Sequence, residues 1–271
     1  EIRMSGYSYL APFSVENSGR IEVSSGEADL RLVKNTGTVD VLLGAELYAN
    51  GFTSNEGTLN VNGTLWAGTI ACGECGFALP EGLTNEAGGL ITGTGTVVVG
   101  GGTGVLENDG KIAPGGVGST GKLTIDGHLQ MNAGSVLHVD LVNRLTHDIL
   151  QVTGTAVTGG TVEVGHPAGT SIAAGDTFAV LRAASLASDT LPGVGSGQVV
   201  AGASGSDLVL RATAPLPATG GSGVPQGGAQ QQVLGEIITF QQLFEQAANG
   251  DDEQRIGKDD IVVTDVACTP R

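Results

Sequence analysis

The chain has 271 residues with 46 glycines, and only 4 % of its residues are aromatic. A net charge of -16 makes nucleic acids and anionic membrane surfaces unfavourable partners, so no nucleic-acid binding is expected. Glycine without a three-residue period excludes collagen, and recurrent short runs of Val, Leu, Ile and Thr exclude a wholly disordered chain. The composition therefore predicts an ordered, turn-rich, all-β protein with an aliphatic core.

The N-terminal residues, EIRMSGYSYL, lack the basic and apolar regions of a signal peptide and do not begin with Met. No apolar run of about 18 residues occurs, so no membrane-spanning helix is predicted. We therefore expect a segment or mature product of a longer protein, whose export signal lies outside this sequence.

A short phrase recurs along the first half of the chain, as ENSGRIEV, KNTGTVDV and SNEGTLNV, followed by looser forms. Each copy joins an Asn-x-Gly corner to alternating apolar and polar residues, because Asn and Gly tolerate positive φ and alternation indicates a strand. One such unit cannot bury its apolar face alone, but stacked units can. The shared asparagines are Asn17, Asn35, Asn55, Asn85 and Asn108.

These repeats predict a right-handed parallel β-helix, a β-solenoid, over residues 1–211. Turns of about 20 residues would give about ten turns and a rod on the order of 50 Å long. A β-sandwich or barrel is the alternative, but the repeated corner register fits stacked turns better than hairpins.

Three cysteines are present, Cys72 and Cys75 within CGEC and Cys268 near the end. The CGEC pair allows a redox pair, half of a zinc site or a small disulfide loop. No helical pattern follows the pair and no further ligands lie nearby, which favours a disulfide between Cys72 and Cys75. Cys268 is then left over as a candidate anchoring or crosslinking thiol.

From residue 111 the sequence changes to KIAPGG, GKLTIDGHLQM, AGSVLHVDL and DILQVTGTAVTGGTVEV. This passage resembles the C-terminal stem of bacterial autotransporter passengers and of haemagglutinin-like two-partner-secretion exoproteins. GDTFAVLRAAS (175–185) and SDLVLRA (206–212) resemble the terminal turns of those stems, which assigns 111–211 to terminal turns. An autotransporter continues into a membrane barrel, which does not follow here, so the two-partner-secretion branch is favoured.

The resemblance implies a large adhesin that is extracellular or bound at the bacterial cell surface, associated with the outer membrane. It implies an outer-membrane transporter or another surface-retention partner. It also implies a protein or glycan ligand on a host or neighbouring cell.

Three segments follow the predicted solenoid. Residues 212–232 form a Pro/Gly/Gln linker, in which LPATG (216–220) matches a sortase motif without the membrane span that sorting requires. Residues 233–248 have helical spacing, and residues 249–271 form an acidic tail. The apolar face of this short amphipathic helix would cap the solenoid end or bind a partner; its residues are Val233, Ile237, Phe240 and Phe244.

Candidate chemistry is sparse. Residues 116–121 match GxGxxG, but Leu123 and Ile125 open a strand where a phosphate-binding loop requires a helix. Asp126, His138 and Asp140 offer acid and base groups, yet the aromatic platforms and basic clusters of sugar-cleaving grooves are scarce. We predict a non-enzymatic stem without cofactor or metal; the alternatives are a β-solenoid polysaccharide lyase or hydrolase and a self-polymerising filament subunit.

Overall fold

A computed structural model describes residues 1–68, 82–187, 191–195, 197–216, 253–256 and 261–265. Almost all of its regular structure is β-strand, apart from a single 3-10 turn at Gly100–Gly102. The strands of the first half are β1 (Ile2–Ser5), β2 (Ser8–Asn17), β3 (Arg20–Asn35), β4 (Thr38–Val41), β5 (Ala45–Asn50), β6 (Ser54–Asn55), β7 (Thr58–Val61), β8 (Thr64–Gly68), β9 (Gly82–Asn85), β10 (Leu90–Gly93), β11 (Thr96–Val99) and β12 (Val105–Asn108).

The second half continues the same alternation of short strands and corners. Its strands are β13 (Lys111–Pro114), β14 (Lys122–Asp126), β15 (His128–Met131), β16 (Val136–Asn143), β17 (Thr146–His147), β18 (Ile149–Val152), β19 (Thr155–Val157), β20 (Thr161–Gly165), β21 (Thr177–Arg182), β22 (Ser185–Ala187), β23 (Gly193–Val194), β24 (Val199–Ser204), β25 (Asp207–Ala212), β26 (Glu253–Ile256) and β27 (Ile261–Asp265).

Strands of successive turns pair in parallel and form three ladders. The first ladder joins β1, the start of β3, β4, β7, β10, β13, β16, β20 and β23. The second joins the start of β2, the middle of β3, β5, β8, β11, β14, β18 and β21. The third joins the ends of β2 and β3 to β6, β9, β12, β15, β19 and β22.

Each turn of the chain contributes a segment to each ladder, and the alternate side chains face a shared interior. Leu47, Leu65, Val97 and Ile125 follow one another on the second ladder, and all are 0 % exposed. A narrow interior of this kind favours aliphatic side chains, which explains why aromatic residues are scarce. The prediction of an all-β chain of mostly parallel strands is therefore confirmed.

The predicted number of turns is wrong. The described residues make eight turns rather than ten; they span 2–17, 20–35, 38–55, 58–85, 90–108, 111–131, 136–157 and 161–187. Two features use the remaining chain. The antiparallel pair β16–β17 enlarges the seventh turn, and β21, β25 and β24 pair in antiparallel fashion after it.

Antiparallel strands lie at both ends of the solenoid-like stack. At the C-terminal end β25 pairs with β21 and β24, and Leu216 bridges to Ile172. At the N-terminal end β27 pairs with β2 and with β26, so strands from the predicted tail lie against the first turn. The predicted helix at 233–248 lies outside the described residues.

Candidate functional site

The recurring asparagines form a continuous chain of side-chain hydrogen bonds at one corner of the stack, which we call the Asn ladder. The Nδ2 of each of the first four donates to the Oδ1 of the asparagine one turn further on, at 2.7–2.8 Å, and all five residues are at most 1 % exposed. The same Nδ2 groups also donate to backbone carbonyls nearby. Burial in a low-dielectric interior makes such a satisfied network strong and makes a gap in it costly. The members are Asn17, Asn35, Asn55, Asn85 and Asn108.

Glycine next to the Asn ladder is required by close packing. A Cβ on Gly57 would fall on the carbonyl oxygen of Gly37, and a Cβ on Gly37 would fall on that of Gly19. Thr58 and Thr38 donate their backbone N–H groups to these same oxygens at 2.8 Å. The expected explanation, tolerance of positive φ, does not apply to Gly37 or Gly57, since neither has a φ in that range.

A second polar arrangement binds residues 115–121, the glycine loop, to two buried aspartates. Gly118 and Ser119 donate their backbone N–H groups to Oδ2 of Asp140, at 2.6 and 3.2 Å. Gly121 donates to Oδ1 of Asp148 at 2.7 Å. Positive φ at Gly118 (85°) helps to turn these amides inward. The GxGxxG match is thus an anion-binding loop whose amides bind carboxylates of the same chain.

The two aspartates are also bound to each other. Asp140 donates its N–H to Oδ2 of Asp148 at 2.7 Å, and Asp148 donates its N–H to the Asp140 carbonyl at 3.0 Å. Asp140 is 2 % exposed and Asp148 is 0 % exposed. Burial raises the pKa of Asp148 to about 7, although the amides of Asp140 and Gly121 oppose the rise.

His138 connects this pair to a more exposed ion pair. Its Nε2 lies 3.5 Å from Oδ2 of Asp140, and its Nδ1 lies 3.6 Å from Oε2 of Glu163. The contact with Asp140 raises the pKa of His138 despite partial burial. Lys111 contacts the same Glu163 oxygen at 2.7 Å and lowers the pKa of that carboxyl group.

The geometry assigns this cluster to holding the glycine loop rather than to cleaving a substrate. The carboxyl groups of Asp140 and Asp148 are shielded from solvent and accept backbone amides, so a sugar cannot reach them. Asp126 lies on the second ladder, away from the first ladder of Asp140, and accepts a hydrogen bond from Thr153. The structure therefore brings His138 and Asp140 together but not Asp126.

Trp66, the single tryptophan, is 37 % exposed, and one face of its ring is covered by Tyr48. Its ring stacks on Tyr48 with centroids 5.5 Å apart and an interplanar angle of 8°. Its Nε1 donates to Oε2 of Glu46, which also accepts the Tyr48 hydroxyl.

The predicted cysteine sites and the predicted helix face lie outside the described part of the chain. This applies to Cys72, Cys75 and Cys268, and to the helix face of Val233, Ile237, Phe240 and Phe244, so these assignments stay predictions. Among the described residues no group of three or more His, Cys, Asp or Glu side chains is arranged to hold a metal ion. Those residues also contain no helix with the length and hydrophobicity to cross a membrane.

No protein-family model matches the chain, and no curated protein matches it.

Sequence reasoning missed the role of the glycine loop. The available signal was the presence of a glycine-rich anion-binding pattern together with two aspartates, Asp140 and Asp148, further along the chain. Because 22 residues separate Gly118 from Asp140, that pairing is not visible as a local motif.

Proposed function

We propose that this chain is the right-handed parallel β-helical stem of a large bacterial exoprotein that is secreted or attached to the cell surface. Its role is mechanical and adhesive: it holds a binding region away from the cell. Within this proposal the chain belongs with autotransporter-like passengers and two-partner-secretion haemagglutinin-like proteins, on the residues of 111–164 that resemble their stems. An outer-membrane transporter or another retention partner keeps it at the surface.

The observation that carries the proposal is the unbroken pairing between turns. Three parallel ladders connect each turn to the next, and the buried Asn ladder also connects the first five turns. Eight turns spaced by about 4.8 Å give a rod on the order of 40 Å long. A stack with hydrogen bonds along its axis resists bending, which is what a stem requires.

A non-enzymatic role is part of the proposal. The buried state of Asp140 and Asp148, and the stacking of Trp66 on Tyr48, support it. Incubating the purified chain with acidic polysaccharides tests the enzymatic alternative. Reducing ends or unsaturated products that disappear in Asp126→Ala or Asp140→Ala would contradict the structural role.

Surface display is tested with an antibody against this chain on intact cells of the source organism. We expect labelling of intact cells that is lost after external protease treatment, while a cytoplasmic protein in the same cells stays protected. Labelling that requires cell lysis would overturn the proposal. Electron microscopy of the isolated chain separates rods of one length from the filaments that a self-polymerising subunit would form.

A further inference from the structure

A trough lies on the outer face of the three antiparallel strands at the C-terminal end of the described turns. β25 forms its centre and pairs with β21 on one side and β24 on the other. The loop and short strand after β16 form one wall with Arg144 and His147. The trough has a volume of about 650 Å³, within the usual range of about 300–1,000 Å³ for ligand sites.

Three arginines line this trough although the chain as a whole carries a net charge of -16. Arg182 and Arg211 form no salt bridge with any of the described residues, and both are exposed. Arg144 is 70 % exposed and lies 3.7 Å from Asp176. Asp207 is the one acidic residue of the lining, so positive charge is in excess there.

Three basic residues of the first two turns are, by contrast, paired with carboxylates. Arg3, Arg20 and Lys34 each lie 2.7–2.8 Å from a carboxylate oxygen of Glu1, Asp40 and Glu56 respectively. Arg182 and Arg211 are exposed and have no salt-bridge partner among the described residues, so their guanidinium groups can bind a ligand. Burial lowers the pKa of His147, so the positive charge of the trough comes from the arginines at neutral pH.

The floor of the trough selects the kind of ligand. Ala179, Val209 and Gly202 form its middle row, and the lining contains no Phe, Tyr or Trp. A ligand thus gains little from apolar or stacking contacts and must be held by charge and hydrogen bonds. Guanidinium groups bind carboxylates and sulfates with paired N–H donors, and Thr177 and Ser204 add hydroxyl groups.

The spacing of the arginines favours an extended ligand. Arg211 stands on β25 four residues from Asp207, and Arg182 stands opposite Asp207 on β21. Four residues of strand span about 14 Å between the backbone positions, so an extended ligand can meet both side chains along its length. Since the arginines lie on the face of the sheet, the ligand meets them with its substituents and does not extend the sheet as a peptide strand does.

We propose that the trough binds an acidic polysaccharide, through the carboxylate or sulfate groups of successive sugars on Arg144, Arg182 and Arg211. The site goes beyond the display role proposed above and does not depend on it. Binding in solution would stand even if the chain proved not to be surface-exposed.

Isothermal titration of the full chain tests this with four probes: a heparin-derived oligosaccharide, an oligogalacturonate, a neutral dextran oligosaccharide and an oligoglutamate peptide of matched length. We expect binding to at least one of the two acidic sugars, weakening as salt rises, and none to dextran. The acidic sugar that binds identifies sulfate or carboxylate as the recognised group. Peptide binding equal to or tighter than sugar binding would overturn the choice of ligand.

Two variants locate the binding. Arg182→Gln/Arg211→Gln removes both unpaired guanidinium groups, and we expect it to weaken binding about tenfold or more. Gly202→Glu places a carboxylate on the floor, where a Cβ meets no atom within 4 Å, and we expect a similar loss with every arginine kept.

The matched control is Arg3→Gln/Lys34→Gln, which removes the same charge from the first two turns and should leave binding unchanged. Circular dichroism and thermal unfolding verify that each variant is folded. Absence of binding to both acidic sugars, or binding that both trough variants retain, would overturn the proposal.

Discussion

Residues 1–110 and residues 111–187 connect neighbouring turns through different polar contacts. In the first region the same neutral side chain occupies the same corner of five turns, and each amide bonds to the next. In the second region that corner is taken by Met131, which stands opposite Asn108 and is 2 % exposed. Polar contacts shift there to Asp140 and Asp148, which bind the glycine loop.

One continuous stack is thus stabilised by two different kinds of polar contact. The amide chain carries no titratable group, so its contribution does not change with pH. The buried carboxyl group of Asp148 does titrate, because burial favours its protonated form. Loss of a side chain should therefore lower the free energy of unfolding most strongly in the first region, and a change of pH should affect it through the second region.

The largest effect is expected from breaking the Asn ladder in its middle. Asn55→Ala removes the acceptor of Asn35 and the donor to Asn85, and leaves buried polar groups unpaired. Each such group costs about 1–3 kcal/mol, so we expect a loss of about 4 kcal/mol in the free energy of unfolding. Denaturant unfolding monitored by circular dichroism measures it.

Asn108→Ala is the matched control, because this end member loses one ladder bond and creates a cavity of the same size. We expect it to cost about half as much as Asn55→Ala. Equal losses at the two positions would mean that the cavity, and not the hydrogen-bonded chain, sets the cost.

Gly57→Ala tests the close packing of neighbouring turns in the first region. Its Cβ would overlap the carbonyl oxygen of Gly37, so the two turns must move apart. We expect a loss of about 3 kcal/mol, as for other overpacked interiors. Gly134→Ala, where a Cβ meets no atom within 4 Å, should change stability little; a similar loss there would show that glycine itself, and not the contact, is responsible.

The second region should make stability depend on pH. Asp148 has a folded pKa of about 7, well above the unfolded value of about 3.9. A raised carboxyl pKa contributes stability that is present below the unfolded pKa and lost as pH rises through the folded one. The raised pKa of His138 acts in the same direction, since its stabilising charge is lost as pH rises. We expect the free energy of unfolding to fall by about 2 kcal/mol between pH 5 and pH 8.

Asp148→Asn removes the carboxyl titration and should flatten this slope, even though its amide is a poor partner for two N–H donors. Asp126→Asn, a change outside the cluster, should keep the wild-type slope. Denaturant titrations at several pH values measure both slopes. A wild-type slope that persists in Asp148→Asn would mean that Asp148 is not the source of the pH dependence of stability.

The sequence predicted the first region better than the second for a physical reason. Repetition makes a stack visible, because each of the first five turns has an asparagine at the same corner, and the five asparagines predicted to mark corners all lie in one ladder. The number of turns was wrong because inserted and antiparallel segments carry no repeat.

The glycine loop and the trough could not be read from the sequence. Gly118 meets Asp140 only after the chain has completed a turn. The arginines of the trough come from three separate elements, and their proximity depends on the antiparallel pairing of β21 and β25. Contacts of this kind follow from tertiary structure and have no local signature.

The smallest effect on stability is expected at the exposed end of the charged cluster. Lys111 and Glu163 are 36 % and 46 % exposed, so water screens their attraction and either single change should cost less than about 1 kcal/mol. Their effect on His138 should still be measurable, because Lys111 lowers and Glu163 raises the pKa of that ring. Lys111→Met should therefore raise the His138 pKa and Glu163→Gln should lower it, as followed by NMR titration of the imidazole. Shifts of the His138 pKa in the same direction would mean that rearrangement of the glycine loop, and not the charge of each neighbour, sets this pKa. The charged cluster and the glycine loop would then behave as one cooperative unit.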